Sequence, residues 1–448
     1  MPYREARRRR TVWLPSRYAC LMLILFHFTA MAGLAQSTIF VDDDAPANGD
    51  GSPQAPFNNI GAAVAFANTQ SEHAPTIHVK PGRYEISDTI RIERSLTLQG
   101  ANELEIDSLG WPTGNLLVPS NETRIFGRAA LLTTTMIVAG KDGQVIRDVN
   151  VRGFTIEDDS EQGHILDFDR VQGFEVRDNI FMGPGLLPGG NHAGVQSFAS
   201  SGVIRNNYFT RLLVAASIGA GYPGSPGEVT FRGNRSVQNR IGLFLVGTSD
   251  GIAEPGDQLF ALVQDNDLSE NNNQRASAGI RMFIKGREDI GPGYFSTGLS
   301  TGNIHATIRN NRIVGNKVGI VIDGGFISRR KPPPPANVCD PRTFIGSLDL
   351  TLRENTLADS ALISAVITFT QLQRALDTLE GIPNNFAQSQ FLHLTTFRID
   401  DPDNSLKGRF TDHRASDPFV GGTCILDTTQ EPLNNMLIIN GTVVEPAP

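Results

Sequence analysis

An all-β fold, a right-handed parallel β-helix built as a solenoid of stacked coils, is the class this sequence predicts. Three observations lead there. A six-residue phrase recurs along the chain, its flanking segments are short period-2 apolar strands, and one amphipathic helix stands near the start. The phrase is apolar, usually Arg, variable, Asn, variable, apolar. It occurs as V-R-D-N-I-F ending at Phe181, I-R-N-N-Y-F at Phe209, F-R-G-N-R-S at Ser236, V-Q-D-N-D-L at Leu268, I-R-N-N-R-I at Ile313 and L-R-E-N-T-L at Leu357. An earlier relative, V-R-G-F-T-I, ends at Ile156 with Phe154 in the Asn place. The key residues Asn179, Asn207, Asn234, Asn266, Asn311 and Asn355 are spaced by 28, 27, 32, 45 and 44, and Phe154 precedes the first by 25. Self-similarity at a base period with variable excess is the mark of a fixed coil carrying loop insertions. A β-propeller needs blades of about 40–45 residues, which suits only the last two spacings.

Within each coil a second Asn follows five residues on, at Asn239, Asn271 and Asn316, and a second apolar stretch begins at Ile241, Ala278 or Val318. The apolar runs are four to six residues long and rich in β-branched and aromatic side chains, which favours strands over helices. The Asn residues are expected to be structural. A tight bend favours a residue tolerant of left-handed geometry, and coils about 4.8 Å apart allow side-chain amides to bond from one to the next.

The ends differ from the middle. Phe57, Ile60, Val64 and Ala67 fall on one helical face and predict a short helix covering the open end of the solenoid. Residues 36–100 are read as this N-terminal cap with the first coils, 101–370 as the repeats with loop insertions, and 371–448 as C-terminal coils and cap. Residues 1–35 read as a signal peptide of bacterial type. They run from a basic segment (Arg4, Arg7–Arg10) through an apolar one (Tyr18–Ala32) to small residues ending at Ala35. Secretion to a periplasmic or extracellular compartment is therefore expected, with no membrane span after cleavage.

The leader carries six Arg and one Glu, so its removal takes the formal charge from −8 to −13. An acidic chain argues against nucleic acid or anionic lipid as partner. Cys339 and Cys424 are the cysteines outside the leader, and an oxidising compartment makes a disulfide between them an expectation.

The N-terminal run V-D-D-D…N-G-D-G-S…A-P-F-x-x-I-x-x-A-V, followed by I-H-V-K-P-G-R-Y and S-L-T-L-Q-G-A, resembles the entrance of secreted right-handed parallel β-helix proteins of the pectin-lyase-like superfamily. The resemblance spans roughly residues 38–370. It implies the fold and a carbohydrate partner without choosing an activity, because the family includes lyases, glycoside hydrolases, epimerases, phage spikes and adhesins. The N-T-D, D-D and G-H-G set of polygalacturonases and the D-P-H-E motif of mannuronan epimerases are absent, and no pectate-lyase calcium and arginine pattern stands out.

The loops after the second apolar stretch of each coil grow along the chain, near 220–227, 248–258, 285–303 and 325–346. Stacked on one edge, they would wall a groove suited to a linear polymer. Alternation then points Arg281 and Phe283 outward, with Phe244 in the coil before, Asp323 in the coil after, and Asp167, Asp169 and Gln196 earlier. Arg281, Lys285 and Asp323 suit a uronate carboxylate. A base beside them would take the C5 proton in β-elimination. Asp167 and Asp169 form the same-face pair that hydrolysis would use. His164 and His192 each lie 15 residues before their key Asn and are expected to stack, which makes His192 an acid–base candidate. Gln196, Phe244, Phe283 and Asp323 are substrate-binding candidates. The oxygen-rich run Asp42, Asp43, Asp44, Asn48 and Asp50 is compatible with Ca²⁺ but lacks the spacing of a known calcium loop. The expected function is binding, and cleavage by lyase chemistry, of an acidic polysaccharide. The alternative is a non-catalytic surface or polysaccharide-binding β-helix.

Overall fold

The structure, a computed structural model, describes residues 38–70, 74–127, 134–158, 162–185, 191–221, 226–247, 258–272, 277–284, 300–323, 343–358, 363–368, 392–403, 410–412 and 436–443. Lys285, Cys339, Cys424 and the signal-peptide segment lie outside these residues.

Among them the chain winds through three sheets in a fixed order. Sheet 1 contains Val171–Arg177, Ser201–Arg205, Gly227–Arg232, Gln258–Gln264, Ser300–Arg309, Thr343–Arg353 and Leu392–Asp400 as consecutive neighbours. Sheet 2 takes the short strands after each key Asn, such as Ile180–Met182 and Tyr208–Thr210. Sheet 3 holds the second apolar stretches, among them Gln162–Asp169, Asn191–Phe198, Ile241–Val246, Ala278–Phe283 and Val318–Asp323. Each strand pairs in parallel with its counterpart one coil away. This is a parallel β-helix, and the order of neighbours continues past residue 371 through Phe410–Asp412 and Met436–Ile439.

Alternation along the strands fills the interior. Ile304, Ala306 and Ile308 are buried while His305, Thr307 and Arg309 of the same strand face out. Like residues stack coil on coil; the Phe181 and Phe209 rings lie 4.9 Å apart at 8°. Helix α1 (Ile60–Thr69) is opened by Asn59, whose side chain accepts a hydrogen bond from the Ala62 N–H at 2.7 Å. Its Ile60, Ala63, Val64 and Ala67 are buried. Asn68 at its end donates to the Arg91 carbonyl and accepts from the Glu93 N–H, beside the terminal strand of sheet 3.

The key Asn residues form a continuous ladder. Asn207 accepts, through Oδ1, hydrogen bonds from both the N–H and the Nδ2 of Asn179 (each 3.1 Å). Its own Nδ2 donates to the Val176 carbonyl at 2.9 Å and to Asn234 Oδ1 at 3.1 Å. The pattern repeats through Asn266, Asn311 and Asn355. A second ladder, Asn239–Asn271–Asn316, serves the bend into sheet 3. One expectation is corrected. The left-handed residue at each bend is the one before the ladder Asn: Asp178, Asn206, Gly233, Asp265, Asn310 and Glu354, with φ of 52–61°. The Asn is selected for its two-sided amide, and tolerance of positive φ is required of its neighbour.

A stability prediction follows from the ladder. Asn234→Ala strands the buried Asn207 N–H and the Ile204 carbonyl, both now partnered by Asn234. It is expected to cost about 2–4 kcal/mol, read as a lower chemical-denaturation midpoint. An equal loss for Thr230→Ala, on the outward face of the same strand, would remove the ladder's special status.

Candidate functional site

The outward face of sheet 1 carries four rows, one residue per coil in each. Counting back from the key Asn in steps of two, the first row is Arg205, Arg232, Gln264, Arg309 and Arg353, in register. The second is Thr230, Leu262, Thr307 and Thr351. The third is Glu228, Phe260, His305, Asp349 and Arg398, and the fourth is Gln258, Asn303 and Ser347. A depression of about 730 Å³ runs over these strands, floored by Phe260, His305, Asp349 and Arg398 with the Thr row beside them.

The third row places unlike groups in contact. The Phe260 and His305 rings stack at 4.9 Å and 13°. His305 Nδ1 lies 3.1 Å from Asp349 Oδ2, and Arg398 donates to Asp349 Oδ1 at 3.5 Å. Both carboxylate oxygens are thus occupied, and the imidazole is held on one face by an aromatic ring and at Nδ1 by an acid. A carboxylate on one ring nitrogen leaves the other to act as acceptor or donor toward a ligand. The His305, Asp349 and Arg398 side chains remain open to solvent, at 35%, 42% and 58% exposure. Phe260, at 39%, is an exposed aromatic of the kind that packs against a sugar ring.

The residues expected from sequence lie on sheet 3. Register puts Asp167, Gln196, Ser217, Phe244, Arg281 and Val321 in one outward row. Gln196 donates to Asp167 Oδ1 at 3.4 Å. The Arg281 guanidinium lies 5.3 Å from the Phe244 ring centre and 5.8 Å from that of Phe283, which is only 5% exposed. Phe283 pairs with Asp323 in the neighbouring strand. Asp169 sits two residues beyond Asp167, with Arg170 Nε at 3.6 Å from its Oδ1. Four rungs separate Asp167 from Arg281, about 19 Å at 4.8 Å per rung, so the acid pair and the cation share a face without meeting. The expected stacking of two histidines is corrected: His164 pairs with Ala193, and His192 with Gly163. The register is offset by one residue, and successive strand residues face opposite sides.

The acidic N-terminal run folds into a turn. Ligand-capable oxygens of Asp42, Asp43 and Asp44 lie within 4.8 Å of one another. Asp42 accepts from Lys80 Nζ at 2.7 Å, which holds its carboxyl below the ordinary range, and Asp43 accepts from the Arg83 N–H at 2.8 Å. These contacts give the run a structural role in joining the first strand to the Gly82–Ile86 strand. A different carboxylate, Asp267, is 2% exposed and sits between Arg235 (3.3 Å) and Arg312 (3.0 Å) on sheet 2. Asp107, from a hairpin spanning Leu104–Leu116, meets Arg235 at 3.2 Å, and Trp111 of that hairpin donates to the Asp265 carbonyl at 2.8 Å. These groups are committed to structure.

Sequence reasoning passed over His305, Asp349 and Arg398. The signal for the first two was present: each stands six residues before a key Asn, as do Glu228 and Phe260.

No protein-family model matches the chain, and no curated protein matches it in sequence. Among solved structures it is similar to the A-module of the Azotobacter vinelandii mannuronan C-5 epimerase AlgE6, at 14% identity and TM-score 0.37 over 76% of this chain and 82% of that one. It is similar to the DFA-IIIase of Arthrobacter chlorophenolicus A6 in complex with GF2, at 13% and 0.33 over 82% and 94%. It is also similar to pectate lyase Pel9A, at 13% and 0.27 over 72% and 78%. Among the described residues no helix is long and apolar enough to cross a membrane.

The site separates from the scaffold by its expected cost. Asp349→Asn and Arg398→Gln break solvent-exposed pairs and are expected to change stability by under ~1 kcal/mol. Asp267→Asn replaces a buried carboxylate shared by two partly exposed guanidinia with a neutral amide and is expected to cost about 2 kcal/mol. Denaturant midpoints of the three variants check this, and a large loss for Asp349→Asn would make the sheet 1 row structural.

Proposed function

We propose that this protein is secreted and binds an acidic polysaccharide along the outward face of sheet 1, cleaving it by lyase chemistry in preference to hydrolysis. The observation that carries the reading is His305, stacked on Phe260 and held at Nδ1 by Asp349 on the floor of an open depression. Phe260 supports one sugar ring. Arg398 supplies positive charge near a uronate carboxylate, which acidifies the C5 proton. The imidazole Nε2 takes that proton. The C5–H electron pair becomes the C4=C5 double bond, the C4–O4 bond breaks, and the departing oxygen takes a proton from the imidazolium or water. Hydrolysis requires two carboxyl groups at work on opposite sides of the bond. Asp349 has both oxygens tied to cationic or hydrogen-bonding partners, which favours elimination.

A second reading uses sheet 3. Arg281 lies over two aromatic rings and Gln196 is bonded to Asp167, a mixture of ring, amide and charge that suits sugar binding. Asp169, His192, Lys285, Phe283 and Asp323 complete that proposal. The separation of Arg281 from Asp167 favours binding over catalysis there. The non-catalytic alternative has the same groove and no reaction.

The test is a panel of pectin, alginate and glycosaminoglycans followed by the absorbance of unsaturated uronate. His305→Gln is expected to abolish product while retaining binding. Phe260→Ala is expected to weaken binding at least tenfold, about 1.4 kcal/mol. Binding with no unsaturated product and no new reducing ends would establish the non-catalytic alternative. Loss of binding on Arg281→Ala, with Phe260→Ala silent, would move the site to sheet 3.

A further inference from the structure

The outward row that holds Arg205 and Arg232 extends back to the first rungs of sheet 1, and its chemistry changes on the way. Register runs it through Phe40, His78, Gln99, Arg152 and Arg177 to Arg205. The first four repeat the order of the Phe260–His305–Asp349–Arg398 row: an aromatic ring, an imidazole, a side-chain acceptor and a guanidinium, one per rung. The Phe40 and His78 rings stack at 5.8 Å and 21°. Arg152 donates to Gln99 Oε1 at 2.6 Å, as Arg398 donates to Asp349. All four side chains are partly exposed. In both rows the ring and the guanidinium stand three rungs apart, about 14 Å at 4.8 Å per rung. A threonine row runs beside each, on opposite sides: Thr38, Thr76 and Thr97 here, and Thr230, Thr307 and Thr351 with Leu262 among them there.

One exchange separates the two rows. Gln99 stands in the first where Asp349 stands in the second. His305 Nδ1 lies 3.1 Å from a carboxylate, while the rung after His78 offers an amide whose oxygen is already bonded by Arg152. A carboxylate at one ring nitrogen fixes the tautomer and raises the basicity of the other, and a neutral amide supplies no such charge. The guanidinium gains what the imidazole loses. Arg152 bonds the neutral Gln99, whereas Arg398 shares its charge with Asp349.

An aromatic ring packs on a sugar face and a guanidinium takes a carboxylate, so the same pair at the same separation suits the same ligand. We infer that Phe40, His78, Gln99 and Arg152 form a second site on sheet 1 that holds the acidic glycan without reacting on it. This rests on the binding reading given above and adds an anchoring site to it. Phe40 and Phe260 are seven rungs apart along the stack, about 34 Å, and four residues apart across it, about 13 Å. An extended glycan advances roughly one rung length per sugar, so a tetrasaccharide fills one site and a decasaccharide reaches both. A chain held at the first site meets the second at a raised effective concentration, which strengthens binding with no new contact.

The experiment is calorimetry at one fixed ionic strength, in the His305→Gln background to prevent turnover, with tetra- and decasaccharides of polygalacturonate, alginate and hyaluronan. Two tetrasaccharides are expected per protein, and one decasaccharide bound at least tenfold more tightly. Phe40→Ala and Arg152→Gln are each expected to leave one tetrasaccharide and to remove the decasaccharide advantage. Arg177→Gln takes the same charge from the next rung, where Glu175 and Asp178 already bond it, and is expected to change neither. Arg152→Gln keeps Phe40 in place, and a thermal melt verifies that both variants fold. A single tetrasaccharide per unsubstituted chain, lost on Phe260→Ala alone, overturns the inference and leaves the groove standing. A decasaccharide advantage that survives both N-terminal variants overturns it too. Binding that Arg152→Gln removes and Phe260→Ala does not would keep the N-terminal site and end the groove reading. If no oligosaccharide of the three series binds, both fall.

Discussion

Everything in this molecule hangs on one unmet backbone requirement. Between sheet 1 and sheet 2 the chain turns in about two residues, and the N–H groups at that bend point along the stack with no strand carbonyl in position. A buried, unpartnered N–H costs about 1–3 kcal/mol. The Asn of the next coil removes the cost with one oxygen, and its amide nitrogen closes a carbonyl of the preceding coil. Each Asn therefore needs the coil on either side. The coils hold one another at a single offset, since a slip of one residue would turn every inward Ile or Val outward.

That fixed offset is what makes a site possible. Once the Asn residues are aligned, every residue at a given distance before them is aligned as well. A chemical surface arises from one residue per coil with no local loop to shape it. The Phe260–His305–Asp349–Arg398 row consists of four side chains more than 130 residues apart from end to end, brought into contact by the ladder. Extra residues enter mainly in the connection from sheet 3 back to sheet 1, with shorter ones between sheet 2 and sheet 3 after Met182 and after Asn271, and in the Leu104–Leu116 hairpin. Length can vary there because the bends that set the register are elsewhere.

The fold was legible because the residue that satisfies the bend is also the one that repeats. The phrase around Asn179 to Asn355 gave the coil, its strands and the inward faces, and α1 appeared where the apolar face from Ile60 to Ala67 required it. The candidate site was less legible for a physical reason. The growing loops drew attention to the strand they follow, on sheet 3, yet each loop also enters the strand it precedes, on sheet 1, so loop length does not distinguish the two faces. His164 and His192 misled through equal spacing to their Asn, because the Val171–Arg177 strand holds one extra residue between Gln172 and Phe174, which shifts the sheet 3 register by one relative to the Asn. The left-handed position was misplaced by one residue because Asp, Asn, Gly and Glu all fill it, and a position so varied leaves no repeat.

The Arg of the phrase shows how a repeat carries function without losing structure. In the early coils it is part of the scaffold: Arg177 and Arg205 share Glu175, and the pairs tie neighbouring rungs. Two coils later Thr230 and Leu262 stand in the row that holds Glu175, and the Arg at the same position is left to solvent. The change lies in the neighbour. A solenoid offers this freedom because each rung contacts only the next, so deleting one outward carboxylate releases a guanidinium at that rung and disturbs little beyond it. Asp267 cannot be treated in this way. It is 2% exposed and answers two cations, so its loss would leave Arg312 without a carboxylate and Arg235 with Asp107 alone. Function on such a scaffold is expected where an outward row brings unlike groups into contact, as the third row does at Phe260, His305 and Asp349.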